Sequence, residues 1–231
     1  MRKALAALAG VSVLAAVGIA DAAEVAKASS GGWDIGVSAG AIIPNNTRIR
    51  ANGSNAGLSV SAAGDIEFSS GPAISLAGGY RFNNWFRAEA EFGYATFDYK
   101  NVSGNLTATY NGTTYTVSGS APVTGSVSTF SGAGNLYITP MGYVGRVTPV
   151  LGGGVGFAAT EDKVSKIGTL NVNSSTSNTN LMAQGIAGLD VKVTDNFDIG
   201  GRYRYIWVNS GNNLVDDFTA HVVSGTLTYR F

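Results

Sequence analysis

From residue 33 onward the chain alternates between apolar and small or polar positions. Over 33–43, Trp33, Ile35, Val37, Ala39, Ala41 and Ile43 fall on one parity, and Asp34, Gly36, Ser38, Gly40 and Ile42 on the other. Successive side chains of a strand point to opposite faces, so this spacing predicts a strand with one apolar face and one small or polar face. The pattern returns over 74–82, where Ile74, Leu76, Gly78, Tyr80 and Phe82 oppose Ser75, Ala77, Gly79 and Arg81. Over 86–94, Phe86, Ala88, Ala90, Phe92 and Tyr94 oppose Arg87, Glu89, Glu91 and Gly93. Fainter versions cover 130–140 and 147–159, the latter with Val147, Pro149, Leu151, Val155 and Phe157 on one face. Clear ones cover 181–193, with Asp190 and Lys192 on the polar face, and 197–207, where Phe197, Ile199, Tyr203, Tyr205 and Trp207 oppose Asp198, Arg202 and Arg204. A last strand over 218–231 brings the expected number to eight. No later stretch offers 18 consecutive apolar residues, so helical membrane spans are excluded.

The connections alternate in length. They run from a long one over 44–71 to the pair Asn83 and Asn84, then about 30 residues, about 6 over 141–146, about 20, three over 194–196, and about 10. Such a meander gathers its long loops at one end and its tight turns at the other, as in membrane barrels with short periplasmic turns and long outer loops. The large aromatics sort to the two ends of the apolar face. Trp33, Tyr80, Phe82, Phe86, Phe197, Tyr229 and Phe231 fall near the turns, and Tyr94, Phe130, Phe157, Tyr205, Trp207 and Phe218 near the loops. Two aromatic belts around a band of small and aliphatic residues are what interfacial anchoring predicts. The expected fold is therefore all-β, an eight-stranded antiparallel up-and-down transmembrane β-barrel. Its polar face would line the lumen with Asp34, Arg81, Arg87, Glu89, Glu91, Asp190, Lys192, Asp198, Arg202, Arg204 and Arg230, five acids and six bases. An eight-strand interior is only just wide enough for side chains, and isolated buried charges are costly, so these charges are expected to pair as a plug.

Residues 1–22 carry a different signature. Arg2 and Lys3 precede an uncharged, Ala-rich run over 4–20, and Ala20-Asp21-Ala22 supplies a small-x-small site with cleavage before Ala23. The run is too short for a membrane-spanning helix. The expected organisation is a signal peptide over 1–22, a lead over 23–32 and the barrel over 33–231. Among the 231 residues, 15 basic ones balance 15 acidic ones, and the charged share of 13% is about half the usual value. A nucleic-acid binder would need a basic surplus, which is missing. With no Cys, disulfides, thiolate metal sites and cysteine nucleophiles are excluded. The 32 glycines are roughly twice the ordinary share.

The tail His221-Val222-Val223-Ser224-Gly225-Thr226-Leu227-Thr228-Tyr229-Arg230-Phe231 puts Val223, Gly225, Leu227, Tyr229 and Phe231 on one face and ends in an aromatic. Together with Leu76-Ala77-Gly78-Gly79-Tyr80-Arg81-Phe82, Gly152-Gly153-Gly154-Val155-Gly156-Phe157 and Gly201-Arg202-Tyr203-Arg204-Tyr205, it resembles the small OmpA-type and opacity-protein-like outer-membrane barrel family. The resemblance covers 33–231. It implies the outer membrane of a Gram-negative bacterium, lipid contact along the barrel, and recognition of Leu227, Tyr229 and Phe231 by the barrel-assembly machinery. The family's signal often has glycine five residues before the final aromatic. Here Thr226 stands there, which shifts the weight onto Tyr229 and Phe231. The peptidoglycan-binding domain of longer OmpA-type proteins is not expected.

Other chemistry is weaker. Glu89 and Glu91 are paired carboxylates of the kind that serve glycoside hydrolysis, but lumen ion pairs explain them as well. His221 is the single histidine, so a triad or two-histidine metal site has little to draw on. The glycines of 152–156 lack the following helix of a phosphate loop. Glu161-Asp162 and Asp216-Asp217 lack EF-hand spacing and read as solvated loop charge. The Asn-x-Ser/Thr triplets at Asn45, Asn101, Asn105, Asn111 and Asn173 mark polar loops. The uncharged stretch 101–145 reads as an exposed loop or hairpin that ends in the fourth strand. The functional expectation is a non-enzymatic barrel without cofactors, serving envelope integrity and contact with host surfaces or antibodies through its loops. A narrow porin for ions or small solutes is the alternative.

Overall fold

The computed structural model describes residues 31–55, 58–110, 112–140, 146–211 and 214–231. The cleavage site at Ala20, Ala22 and Ala23 lies outside the described residues. Ten strands form a single antiparallel sheet: β1 (Gly32–Pro44), β2 (Thr47–Asn55), β3 (Leu58–Phe68), β4 (Gly71–Arg81), β5 (Phe86–Tyr110), β6 (Thr113–Ile138), β7 (Val147–Ile167), β8 (Leu170–Lys192), β9 (Phe197–Val208) and β10 (Phe218–Arg230). Eight of these close a ring in the order β5-β4-β1-β10-β9-β8-β7-β6, and the β5–β6 pairing returns to the start. The β1–β10 seam runs from Asp34 opposite Arg230 to Pro44 opposite Ala220. This is the eight-stranded up-and-down barrel that the alternating connections predict.

Two strands are additional. The long connection over 44–71 is not a loop but the hairpin β2–β3. β4 pairs with β5 only up to Ala73 opposite Ala95, and beyond that point β3 takes its place, from Phe68 opposite Tyr99 to Leu58 opposite Tyr110. The fourth ring strand is also far longer than 130–140. β5 to β8 have 25, 26, 21 and 23 residues, against 13, 11, 12 and 13 for β1, β4, β9 and β10. A spanning strand needs about 9–11 residues, so β5–β8 project well past the ring, by about 40 Å along the strand for β5. The outer part of β5 still alternates, with Val102, Leu106 and Ala108 against Ser103, Thr107 and Thr109, but its wealth of small polar residues gives it the composition of a loop.

At the opposite end the connections are tight. Asn83 Oδ1 accepts from the N–H groups of Trp85 and Phe86 at 2.8 and 2.9 Å, and Thr194 Oγ1 accepts from those of Asn196 and Phe197 at 3.3 and 3.0 Å. Short polar side chains that bond their own backbone a few residues on set such turns. The first turn includes Trp85 as well as the expected Asn83 and Asn84, because Phe82 pairs back to Phe86.

The outward face of the ring carries the large apolar side chains: Trp33 is 66% exposed, Leu76 50% and Val155 68%. Trp33, Tyr80 and Phe82 contact one another edge to face near the turns, as do Phe197, Tyr229 and Phe231. Phe92, Phe130 and Phe157 form the corresponding row nearer the long strands. Apolar side chains on the rim and polar ones within invert the arrangement of a water-soluble sheet protein.

Candidate functional site

The interior of the ring is filled in two layers. The layer near the turns is ionic. Asp34 accepts two hydrogen bonds from Arg87, Nε to Oδ2 at 2.9 Å and Nη2 to Oδ1 at 2.6 Å, and Arg87 also lies 2.6 Å from Glu89. Tyr137 donates to Glu89 at 2.9 Å, and Asn135 donates to Glu89 at 3.2 Å and to Glu91 at 2.9 Å. Arg204 pairs with Glu91 at 2.9 Å, and Arg202 with Asp190 at 2.7 Å. Gln184 donates to Asn135 at 2.8 Å and so joins β6 to β8. Arg230 pairs with Asp198 across the β9–β10 boundary. Arg81 is buried at the turn end, where it lines a small cleft with Arg87, Tyr137 and Asp190.

Lys192 is placed differently from its expected position. It is exposed and pairs with Asp195 at 2.8 Å in the turn after β8. Its hydrogen bond holds the Asp195 carboxyl below the usual carboxylate range. The physical reason is position: Lys192 is the last residue of β8, so its long stem carries the ammonium out to water. The inward set is then Asp34, Glu89, Glu91, Asp190 and Asp198 against Arg81, Arg87, Arg202, Arg204 and Arg230, five of each sign.

Glycine makes room for this network. A Cβ at Gly154 would stand 1.9 Å from Asn135 Oδ1, and one at Gly200 would stand 2.4 Å from Asp190 Oδ1. The run over 152–156 is therefore a wall against which polar side chains fold, with Gly152, Gly154 and Gly156 on the inward parity and Gly153 outward. Asn135, Tyr137 and Gln184 carry no charge, so charge does not mark them in the sequence, but their parity does: Asn135 stands opposite Glu89, Tyr137 follows two residues on, and Gln184 shares the parity of Asp190.

The second layer is apolar. Ile42, Phe97, Val127, Ala220 and Val222 are buried in the ring, with Phe68, Tyr99 and Phe218 packed on them. Phe97 and Phe218 stack at 5.6 Å between centroids, with 9° between ring planes, and Phe68 meets both edge to face. Phe218 thus faces inward, not the outer belt. It shares parity with the buried Ala220 and Val222, and parity, not height, decides its side. A cavity of about 60 Å³ lies between the two layers, lined among others by Ser38, Glu91, Gln184, Arg204, Ile206 and Ser224.

Above the aromatic layer the polarity of the wall reverses. Register shifts fall at one level, between Glu67 and Phe68, Asp98 and Asn101, Thr124 and Gly125, and Val164 and Lys166. A bulge adds a residue and changes which parity faces which side. Beyond it, Ile49, Val102, Leu106, Val117 and Leu214 line a concavity of about 630 Å³. Thr107–Thr116 and Thr109–Thr114 pair across strands at 3.2 and 3.0 Å on the opposite face. At the junction Tyr99 donates to Asp162 at 2.9 Å. Burial pushes the Asp162 carboxyl up despite that hydrogen bond, and burial and the neighbouring carboxylate push the Tyr99 hydroxyl up.

The remaining candidates disperse. Asp162 is bound to Tyr99, Glu161 pairs with Lys163 at 2.9 Å, Asp216 pairs with Arg50 at 3.3 Å, and Asp217 accepts from Trp207 at 3.1 Å. Among the described residues no group of three or more His, Cys, Asp or Glu is placed to hold a metal. His221 faces outward and contacts Tyr203, Nδ1 to the hydroxyl at 2.7 Å. Leu227, Tyr229 and Phe231 lie on the outward face beside the turns, with Phe231 76% exposed.

A family model described as outer membrane protein beta-barrel domain matches residues 11–231. Among solved structures, the outer membrane protein OprG from Pseudomonas aeruginosa matches with 12% identity over 87% of this chain and 96% of that one, at a TM-score of 0.52. Neisserial surface protein A matches with 16% identity over 88% and 100%, at 0.49. Ail of Yersinia pestis, crystallised with the heparin analogue sucrose octasulfate, matches with 17% identity over 88% and 100%, at 0.46. No curated protein sequence matches.

Proposed function

The chain belongs to the outer-membrane-protein β-barrel family and resides in the outer membrane of a Gram-negative cell, and from that premise we propose that it is a sealed, non-enzymatic barrel whose contacts are made by the projecting strands. The observation that carries this reading is the division of the molecule. An ionic layer and an aromatic layer cross the ring with a cavity of about 60 Å³ between them, whereas β5–β8 and the β2–β3 hairpin stand beyond the lipid-facing band with polar outer faces. A filled ring anchors and stiffens the envelope, and the projecting sheet presents a surface to host molecules or antibodies. Lipid contact along the apolar band and delivery by the assembly machinery through Leu227, Tyr229 and Phe231 complete the reading.

The test has two arms. Protease added to intact cells should cut within the projecting strands and leave a membrane-embedded core; complete resistance, with the protein present in the outer membrane, contradicts surface display. Purified protein in a planar bilayer should give no conductance steps, and stable steps would establish the narrow porin in its place.

A further inference from the structure

The projecting sheet has two lateral edges, and they are treated differently. The β2 edge is covered: Arg50 N–H donates to Leu214 O at 2.7 Å, Asp216 N–H donates to Arg48 O at 2.9 Å, and Arg50 pairs with Asp216. The β8 edge is open. β8 pairs with β7 along nearly its full length, but with β9 only from Met182 to Lys192, because β9 ends at Val208. The bond from Asn209 N–H to Leu181 O closes the lower limit. Asn173, at φ 45°, marks a bulge that closes the upper one. Between them Ser174, Ser175, Thr176, Ser177, Asn178 and Thr179 are exposed and regularly paired with β7 on one side. Among the described residues no strand pairs with them on the other.

Edge strands present rows of backbone donors and acceptors, and natural proteins guard them with charge, proline, a bulge or a covering element. Over 174–179 there is no charge and no proline. We propose that this edge, about 20 Å long at 3.3 Å per residue, is a strand-addition site that takes an extended, uncharged peptide segment of another protein. The chemistry sets the occupant. The groups on offer are amide N–H and C=O at the repeat of an extended polypeptide, which a sugar or acyl chain does not match. The short hydroxyl and amide side chains on both faces suit uncharged cross-strand neighbours and give a charged strand no counter-ion. The proposal rests on the surface reading above only for placing this edge outside the cell.

The experiment uses the full chain folded in detergent micelles and, as probe, a capped ten-residue Thr-Val repeat. The probe should slow amide exchange at 174–179 about tenfold or more, and the same peptide N-methylated along one edge should not. Successive N–H groups of β8 alternate between β7 and the open side. Of the two variants Thr176→Pro and Ser177→Pro, the one that removes an open-side donor should therefore lose the probe while keeping the heat-dependent gel shift of the folded barrel. Protection at Val102, Leu106 or Val117 instead, or binding that survives N-methylation and both prolines, would overturn the proposal. Self-association through 174–179 without probe would overturn the foreign occupant. Protease resistance on intact cells would sink the surface reading alone.

Discussion

Asp190 and Arg202 show what the buried charges contribute. Both side chains are nearly inaccessible, and they pair through two contacts, Nη1 to Oδ1 at 2.7 Å and Nη2 to Oδ2 at 2.9 Å. Removing one partner leaves an unpaired charge in a low-dielectric interior, whereas replacing both with apolar groups is often near neutral. Arg202→Leu should therefore cost about 3–5 kcal/mol, and Asp190→Leu combined with it should recover most of the loss, measured by urea unfolding in detergent. The glycines offer a matched pair. Gly154→Val drives its side chain into Asn135 and should cost about 1–3 kcal/mol as overpacking. Gly153→Val places its Cβ no closer than 3.5 Å to anything and points outward, so it should be tolerated.

Asp162 lies beyond the lipid-facing part of β7, which ends near Phe157, and supplies the pH prediction. Its carboxyl is raised in the fold by burial, so the folded state holds its proton more tightly than the unfolded chain does. Stability from this group is then present at low pH and falls as pH rises through the raised value. Asp162→Asn should stabilise the protein at neutral pH, and that gain should shrink as pH drops into the carboxylate range; equal gains at all pH values would contradict the linkage.

Among the strands, the long ones separate into a spanning part and a projecting part at the row of bulges, and the parts should be separable by mutation. Ser103 stands opposite Ser120, so replacing 104–119 with Asn-Gly closes the hairpin with the two-residue turn that antiparallel strands favour. The shortened protein should keep its heat-dependent gel shift. The tail makes the complementary case. Phe231 is exposed on the outward face and buries little in the folded ring, so its deletion should reduce the amount of folded protein in the outer membrane far more than it reduces the unfolding midpoint of the protein that does assemble. Wild-type levels would remove the assembly role from this residue.

In the molecule as a whole, the spanning ring was legible in the sequence because lipid outside and a narrow lumen inside impose opposite polarities on alternate residues. Eleven residues of β4 or twelve of β9 suffice to show it. Tight turns needed only Asn83 or Thr194. Beyond the bulges the apolar parity changes sides and small polar residues dominate, so β2, β3 and the outer half of β6 have the composition of loops even though alternation persists in them. Lys192 at the turn end and Phe218 at the loop end show where parity stops deciding: a strand's last residue can carry its charge out to water, and an aromatic near a rim can turn to either side.

Local chemistry therefore dictated the strand count of the ring, its up-and-down order and the side on which most charges lie, since each follows from period two and connection length within one stretch of chain. Partner choice among those charges, the aromatic seal above them, the substitution of β3 for β4 beside β5, and the open edge of β8 depend on which strands end where around a closed ring. Those are relations between segments far apart in sequence, and only closure of the barrel brings them together.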